Sequence, residues 1–376
     1  MIKKLRVLSI SFDSSILDKN SDSFKRQAYY ASLCNSYVII IFSIKYFQPI
    51  RSGNLHVFST NSITKFTYIL DTLRLLKRIY ETQQFDLITV QDPFVIGLAG
   101  VLIKFIYKLP LNVQIHSEFF NSADFRHENW QNFIFYFLGL SVLKFADTVR
   151  ARNNKIKHDI EIRFPKLRNK IFYCGSTINK IYLAPIFNFK RDKNLIVSVG
   201  RLVKQKNFIL LFEAFKQVLL RRSNAKLMII GEGPLKLDLV KVVEELGISK
   251  SVSFAGSKTP EEIKRIFDTA GLYVLSSNHE GWALVCLEAL ARGLPVVMTD
   301  TGCAGEIVVN TQTGYVVPVG DREKLVSHIL YSLRYLSESV IMAKKGRKKV
   351  LADCNLKTIG TETLNMFQAT AKSYEK

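Results

Sequence analysis

Residues 277–290 read Ser-Asn-His-Glu-Gly-Trp-Ala-Leu-Val-Cys-Leu-Glu-Ala-Leu, and they directly follow the apolar run 272–276. That run is typical of a buried strand, and the apolar spacing after it predicts a helix. One glutamate, Glu280, therefore lies in the loop at a strand end, and the other, Glu288, lies inside the next helix. Because ligands of doubly wound α/β sheets bind at the carboxyl ends of strands, this stretch predicts both the fold class and a binding site.

The two glutamates of this stretch have different surroundings. Glu288 is flanked by apolar helix positions, where a carboxylate is costly unless it accepts hydrogen bonds, and ribose hydroxyls are suitable donors. Between the glutamates, the backbone N–H groups of residues 281–284 form the start of the predicted helix, a place that favours anions. A solvated glutamate on the helix surface is the structural alternative for Glu288.

Two further strand ends carry polar motifs. After the predicted strand 195–200, Gly200 allows close backbone approach, and Arg201 and Lys206 offer a guanidinium fork and a point charge that suit a diphosphate. By itself this segment also fits a basic surface turn. After the next strand, Gly231-Glu232-Gly233-Pro234 predicts a tight turn that opens a helix.

In order and spacing across roughly residues 194–321, these motifs and the Gly-Leu-Pro-Val-Val of residues 293–297 resemble the retaining glycosyltransferases of family 4. The resemblance implies an α/β protein with a GT-B fold, two Rossmann-like domains facing across a cleft, and a nucleotide-sugar donor with no required metal. It implies that Glu280 contacts the transferred sugar and that Glu288 binds the ribose. The implied donor-binding residues are Gly200, Arg201, Lys206, Gly281, Trp282, Ala283, Leu284 and Glu288.

The N-terminal half resembles the family less closely. Residues 113–118 resemble its strand-end histidine segment, which makes His116 a candidate catalytic residue together with Glu280. A structural histidine is the alternative at that position. The loop after the first strand lacks the glycines that the family often has there, which puts its donor contacts in doubt. Trp282 and Ala283 stand where Phe and Gly are common, and we expect them to reshape the sugar pocket.

The alternation of short apolar runs with amphipathic stretches occurs twice along the chain and predicts two domains. Residues 1–185 are the predicted acceptor-side domain and residues 186–356 the predicted nucleotide-sugar domain. The tail 357–376 has helical apolar spacing, and we expect it to pack back on the first domain.

Composition limits the function classes. The net charge of +21 suits phosphorylated small molecules, an anionic membrane surface or nucleic acid. The five cysteines have no CxxC spacing, which argues against a disulfide framework and a structural zinc site. No apolar run reaches the roughly 20 residues of a spanning helix. We expect a cytoplasmic protein.

The resulting prediction is a hexosyltransferase-type enzyme of class EC 2.4. It would transfer a sugar, from UDP or GDP as the expected carrier and with no cofactor, to a glycan, a lipid-linked or another surface-polysaccharide acceptor. A GT-B nucleotide-sugar epimerase is one alternative. A basic nucleic-acid-binding protein is the other, and no RNP motif or zinc finger supports it, so no nucleic-acid partner is expected.

A peripheral position on the cytoplasmic face of an anionic membrane is also predicted. Residues 1–190 hold 26 lysines and arginines against 13 acidic residues. Aromatic residues accompany this charge at Trp130 and within 133–137, a mixture that suits a membrane interface. A core helix over residues 133–145 is the structural alternative.

Overall fold

The computed structural model describes residues 4–118, 130–186 and 190–374. The chain divides into two units. Unit 1 comprises residues 1–175 and 356–376, and unit 2 comprises residues 176–355.

Unit 1 is built on an eight-stranded sheet in the order β3-β4-β2-β1-β5-β6-β7-β8, and every pair except β3–β4 is parallel. The central strands are apolar and buried along almost their whole length, as expected for a parallel sheet covered on both faces. The strands are β1 (Arg6–Ser11), β2 (Ser36–Ile41), β3 (Ile50–Ser52), β4 (Leu55–Ser59), β5 (Leu87–Val90), β6 (Leu111–Ile115), β7 (Thr148–Ala151) and β8 (Ile171–Tyr173).

Helices connect these strands as the alternating pattern predicts. The helices before the chain enters unit 2 are α1 (Asp22–Ser32), α2 (Tyr68–Tyr80), α3 (Val95–Tyr107), α4 (Trp130–Leu143) and α5 (Asn154–Arg163).

The strands β3 and β4 were not predicted. β3 has three residues, and in β4 only Leu55, Val57 and Ser59 point to the buried side. Gly53, at φ +56°, turns the chain between the two strands. A pattern this short carries too little periodicity to stand out from a loop.

Unit 2 contains a six-stranded parallel sheet in the order β11-β10-β9-β12-β13-β14. Its strands are β9 (Asp192–Val199), β10 (Lys226–Ile230), β11 (Val252–Phe254), β12 (Ala270–Leu275), β13 (Val296–Thr299) and β14 (Tyr315–Val317). Its helices are α6 (Phe208–Arg221), α7 (Lys236–Glu245), α8 (Pro260–Thr269), α9 (Leu284–Ala291), α10 (Arg322–Arg334) and α11 (Leu336–Asp353).

The last helix, α12 (Leu356–Lys372), belongs to unit 1. Met366 and Phe367 are buried in an apolar core of that unit. The hydroxyl of Thr370 hydrogen-bonds that of Thr148 on β7 at 2.6 Å. Apolar burial and this polar contact thus tie the end of the chain to the first sheet.

The division between the units falls at residue 175, ten residues before the boundary expected from the sequence. The fully buried side chain of Arg292 explains the difference. It donates hydrogen bonds to the carbonyls of Tyr182 (3.3 Å) and Ala184 (2.6 Å) and is paired with Asp268 at 2.7 Å. The segment 182–185 is therefore fixed to unit 2.

Across the described ranges, no helix combines the length and the apolarity that crossing a bilayer requires.

Candidate functional site

The site begins at two glycines, Gly200 and Gly231, which directly follow β9 and β10. A Cβ on Gly231, at φ +138°, would lie 2.0 Å from the carbonyl oxygen of Gly200. Only glycine permits this close approach of the two turns. Backbone hydrogen bonds from Leu202 to Glu232 (3.0 Å) and from Leu235 to Leu202 (3.1 Å) hold the turns together. The glycines thus fix the backbone from which the next cations project.

The two predicted cations lie in different environments. Arg201 is exposed at the end of β9, and among the described residues it forms no ion pair. The Nζ of Lys206 lies 2.6 Å from Oε1 of Glu280, and its side chain is largely buried. Arg201 is therefore available to an anionic ligand, whereas Lys206 is already paired with a carboxylate.

Glu280 is buried, and two donors hold its carboxylate. Besides Lys206, the hydroxyl of Ser277 donates to Oε1 at 2.6 Å. Charge-assisted hydrogen bonds of this kind are stronger than neutral ones and fix the orientation of the carboxylate. The contact between Lys206 and Glu280 could not be predicted from the sequence, because the two residues are 74 positions apart.

The loop that carries Glu280 is anchored by side chains outside the predicted set. Gln205 Nε2 donates to the carbonyl of His279 at 2.9 Å, and Thr299 Oγ1 donates to the carbonyl of Ser277 at 2.7 Å. A Cβ on Gly302 would lie 2.9 Å from Cβ of Glu280. Sequence reasoning missed these positioning residues. Their location directly after β9 and β13 was the available signal.

Helix α9 begins at Leu284, next to the loop. The residue before it, Ala283, has φ +54° and ψ +52°, the left-handed region that glycine adopts without cost. This left-handed conformation explains why glycine is common at this position in the family that the sequence resembles. Trp282 is buried beside it at 2% exposure, while Leu284 is exposed.

Glu288 lies on α9, one helical turn further on, and is partly buried. Burial raises the pKa of its carboxyl to about 8, and no other cause contributes. Among the described residues, no side chain or backbone group hydrogen-bonds this carboxyl. Hydrogen-bond donors of a ligand would stabilise the ionised form of this carboxyl.

His116 lies in unit 1, immediately after β6. Its Nδ1 is buried, and among the described residues it has no hydrogen-bond partner. Burial, followed by the nearby charges of Arg152, Arg150 and Arg26, lowers the pKa of His116 well below its ordinary value. The imidazole is therefore neutral at physiological pH.

In unit 2 the structure brings Lys206 and Glu280 into direct contact and places Gly281–Leu284 between Glu280 and the helix that bears Glu288. Arg201 and Gly200 precede Lys206 on the neighbouring strand end. Across residues 4–118, 130–186 and 190–374, no three His, Cys, Asp or Glu side chains form a candidate metal-ligand group.

Sequence comparisons relate this site to known enzymes. Residues 183–349 match the family model of glycosyl transferases group 1. An uncharacterised glycosyltransferase of Methanocaldococcus jannaschii is 25% identical over 303 residues, which is 77% of each chain. The capsular polysaccharide biosynthesis glycosyltransferase CapM of Staphylococcus aureus is 23% identical, covering 76% of this chain and 79% of CapM. The putative colanic acid glycosyltransferase WcaL of Escherichia coli is 29% identical, but the match spans 46% of this chain and 45% of WcaL.

Solved structures share the fold. Sucrose-phosphate synthase of Thermosynechococcus elongatus superposes with a TM-score of 0.77 at 18% identity, covering 96% of this chain and 98% of the synthase. Anabaena HepE in complex with UDP superposes with a TM-score of 0.74 at 15% identity, covering 97% and 100%.

The chain is thus an enzyme, a glycosyltransferase with a GT-B fold of two Rossmann-like domains. Within it, residues 183–349 correspond to the glycosyl transferases group 1 model. Neither the epimerase nor the nucleic-acid-binding alternative is favoured by these relatives.

Proposed function

We propose that this enzyme transfers a sugar from a nucleotide diphosphate sugar, with UDP or GDP as the carrier, to a glycan or lipid-linked acceptor of surface-polysaccharide biosynthesis, with retention of configuration and without a metal ion. The observation that carries the proposal is the unpaired, partly buried carboxyl of Glu288 on the helix that follows the paired Glu280. CapM acts in capsular polysaccharide biosynthesis, WcaL is a putative glycosyltransferase of colanic acid biosynthesis, and HepE binds UDP; these relatives support the substrate classes.

In the proposed donor complex, each polar group of the unit 2 site has one role. The ribose hydroxyls donate hydrogen bonds to Glu288. These bonds replace the hydrogen bonds to water that the carboxyl loses through its burial. Arg201 and Lys206 contact the diphosphate. Glu280, held in place by Lys206 and Ser277, accepts hydrogen bonds from the transferred sugar.

The proposed reaction is a same-face displacement. The bond from the sugar's anomeric carbon to the phosphate oxygen breaks, and its electron pair leaves with the diphosphate. The acceptor oxygen bonds to the same face of that carbon, and its proton passes to a phosphate oxygen of the leaving group. Arg201, Lys206 and the N–H groups of Gly281–Leu284 stabilise the growing negative charge, the task that a metal ion performs in other transferases.

His116 has a role in the acceptor-side unit. Because its pKa is lowered, it acts as a neutral hydrogen-bonding group and adds no positive charge of its own to the acceptor-side unit. We expect His116→Ala to lower kcat and to leave the affinity for the free nucleotide diphosphate unchanged. Full turnover in that variant would remove His116 from the site.

The experiment that tests the reaction combines two readouts. Purified enzyme is incubated with UDP- and GDP-sugars and a cell-envelope extract, with excess EDTA. The proposal predicts that nucleoside diphosphate is released under EDTA and that the anomeric configuration in the product, followed by proton NMR, equals that of the donor. Inversion, or a strict requirement for added Mg²⁺ or Mn²⁺, contradicts the mechanism.

Peripheral membrane docking is the second part of the proposal. Along α4, Trp130, Phe133, Ile134 and Phe137 are all at least half exposed, and their spacing puts them on one helical face. With the basic charge of the N-terminal half, this face suits the interface of an anionic bilayer, where each lysine or arginine adds roughly 1 kcal/mol. Sedimentation with anionic vesicles at low salt tests it, and protein that stays in the supernatant contradicts it.

A further inference from the structure

A cluster of basic side chains lies at the carboxyl end of the unit 1 sheet. Arg150 is on β7, Arg152 directly follows that strand, and His116 directly follows the neighbouring strand β6. The register pairs Gln114 with Arg150 and Ile115 with Ala151, so the next pair of positions is His116 and Arg152. His116 and Arg152 therefore directly follow two adjacent strands, at the edge where α/β sheets bind ligands.

Arg150 is satisfied by neutral acceptors alone. Its guanidinium donates to Oε1 of Gln114 at 3.0 Å, to the carbonyl of Gly175 at 2.8 Å and to the carbonyl of Cys174 at 3.4 Å. These bonds hold the buried side chain in place, and none of them is to a carboxylate.

Arg152 and Arg26 have even fewer partners. Nε of Arg152 and Nδ1 of His116 are buried, and neither has a hydrogen-bond partner within the described part of the chain. The guanidinium of Arg26, on α1, makes a 3.4 Å contact with the hydroxyl of Ser23. No ion pair joins Arg26 or Arg152 to a carboxylate of the described residues. Glu118, at the same sheet edge, accepts a hydrogen bond from Nδ2 of Asn153 at 2.9 Å.

The charges of this cluster act on one another. Burial, and then the charges of Arg150 and Arg26, lower the pKa of Arg152 to about 9, and Tyr30 offsets part of that effect. The same three arginines contribute to the lowered pKa of His116. Because a buried cation without a counter-charge is costly, a site of this kind is stabilised strongly by an anion.

We propose that Arg152 and His116 form an oxyanion-binding site that recognises a phosphate or carboxylate group of the sugar acceptor. The guanidinium fork of an arginine matches both oxyanions with two parallel hydrogen bonds, and a neutral imidazole adds one donor. The inference rests on the proposed function. It deepens that function by restricting the acceptor to an anionic one.

The acceptor is the favoured source of the oxyanion because of where the cluster lies. The groups assigned to the donor diphosphate, Arg201 and Lys206, are in unit 2, and all members of the cluster are in unit 1. Unit 1 therefore has its own set of cations, which can bind a second anionic group. Binding of the donor diphosphate by this cluster is the competing outcome of the experiment.

The experiment compares the full-length enzyme with Arg152→Gln and with Arg168→Gln, a matched control at an exposed arginine of the same unit. Inorganic phosphate, glucose 6-phosphate, glucuronate and uncharged glucose are titrated separately at constant ionic strength. We expect the wild type and Arg168→Gln to bind the anionic probes and not glucose. We expect Arg152→Gln to bind the anionic probes at least tenfold more weakly and a nucleotide sugar with unchanged affinity. A preference for glucose 6-phosphate or for glucuronate identifies the oxyanion.

Thermal unfolding provides a second readout. In buffer without phosphate or carboxylates, Arg152→Gln should raise Tm, because the substitution removes a buried uncompensated charge. Phosphate should then raise Tm in the wild type only.

Three results would overturn the inference. The first is wild-type probe affinity in Arg152→Gln. The second is an equal loss of probe affinity in Arg168→Gln, which indicates nonspecific binding. The third is an equal loss of nucleotide-sugar and probe affinity in Arg152→Gln, which assigns the cluster to the donor. If the wild type binds the probes through Arg152 but binds no nucleotide sugar, the proposed function fails and the anion site stands.

Discussion

Glu288 provides a prediction that links burial to donor binding. Its carboxyl has a pKa of about 8 without ligand, so at pH 7 only about one molecule in eleven has the ionised form. Ribose hydroxyls donate hydrogen bonds and therefore favour the carboxylate. If the donor binds the ionised form, binding at pH 7 must release about nine-tenths of a proton.

The affinity should follow the ionised fraction. Between pH 7 and pH 8.5 this fraction rises about eightfold, and the association constant of a nucleotide sugar should rise by the same factor. Isothermal titration calorimetry in buffers of different ionisation enthalpy measures the proton release directly. Glu288→Gln is the matched variant because it retains the size and loses the titration.

In Glu288→Gln, the affinity should be lower at pH 8.5 and nearly independent of pH, with no proton released. The folded-state pKa of Glu288 is raised above the unfolded value, so the wild type loses stability as pH rises from about 4.5 to about 8. The variant should therefore have a higher Tm than the wild type at pH 8.5. Donor binding that releases no proton in the wild type would refute the assignment of Glu288 to the ribose.

Other substitutions test the rest of the site. Arg201→Ala and Lys206→Ala should each lower kcat, because each substitution removes about 2–4 kcal/mol of transition-state stabilisation. Only Lys206→Ala should also lower Tm, since it leaves Glu280 buried without its cation; equal Tm values would contradict the ion pair's role. Ala283→Gly should raise Tm by relieving a conformation that costs about 1 kcal/mol; a fall in Tm contradicts this. Gly231→Ala should prevent stable folding, whereas Gly320→Ala, where a Cβ meets no atom within 4 Å, should fold; matching circular-dichroism melts would contradict the close approach.

Much of the fold could be predicted from the sequence because the strands of a covered parallel sheet are continuous apolar runs. The strands β9 and β12 coincide with the predicted runs 195–200 and 272–276, with ends that differ by up to three residues. The hairpin formed by β3 and β4 could not be predicted, since its strands are short and only one face is buried.

The candidate site was predictable as a set of residues and not as a geometry. The turns after β9 and β12 identified Arg201, Lys206 and Glu280, but the 2.6 Å contact between Lys206 and Glu280 depends on the pairing of those two strands. The left-handed backbone of Ala283 was likewise hidden, because alanine normally avoids it. Within the part of the chain that the structure describes, no carboxylate pairs with Arg152, which is a property of the folded surroundings that no local pattern reveals.

Nucleotide-sugar binding by the unit 2 site is tested most directly by titrating UDP-, GDP- and ADP-sugars, with EDTA present, into four proteins. These are the wild type, Glu288→Ala, Arg201→Ala and the control Arg221→Ala at the exposed end of α6. We expect one class of nucleotide sugar to bind the wild type and Arg221→Ala with equal affinity and to bind Glu288→Ala and Arg201→Ala at least tenfold more weakly. Failure of every nucleotide sugar to bind the wild type, or equal affinity in all four proteins, would contradict it.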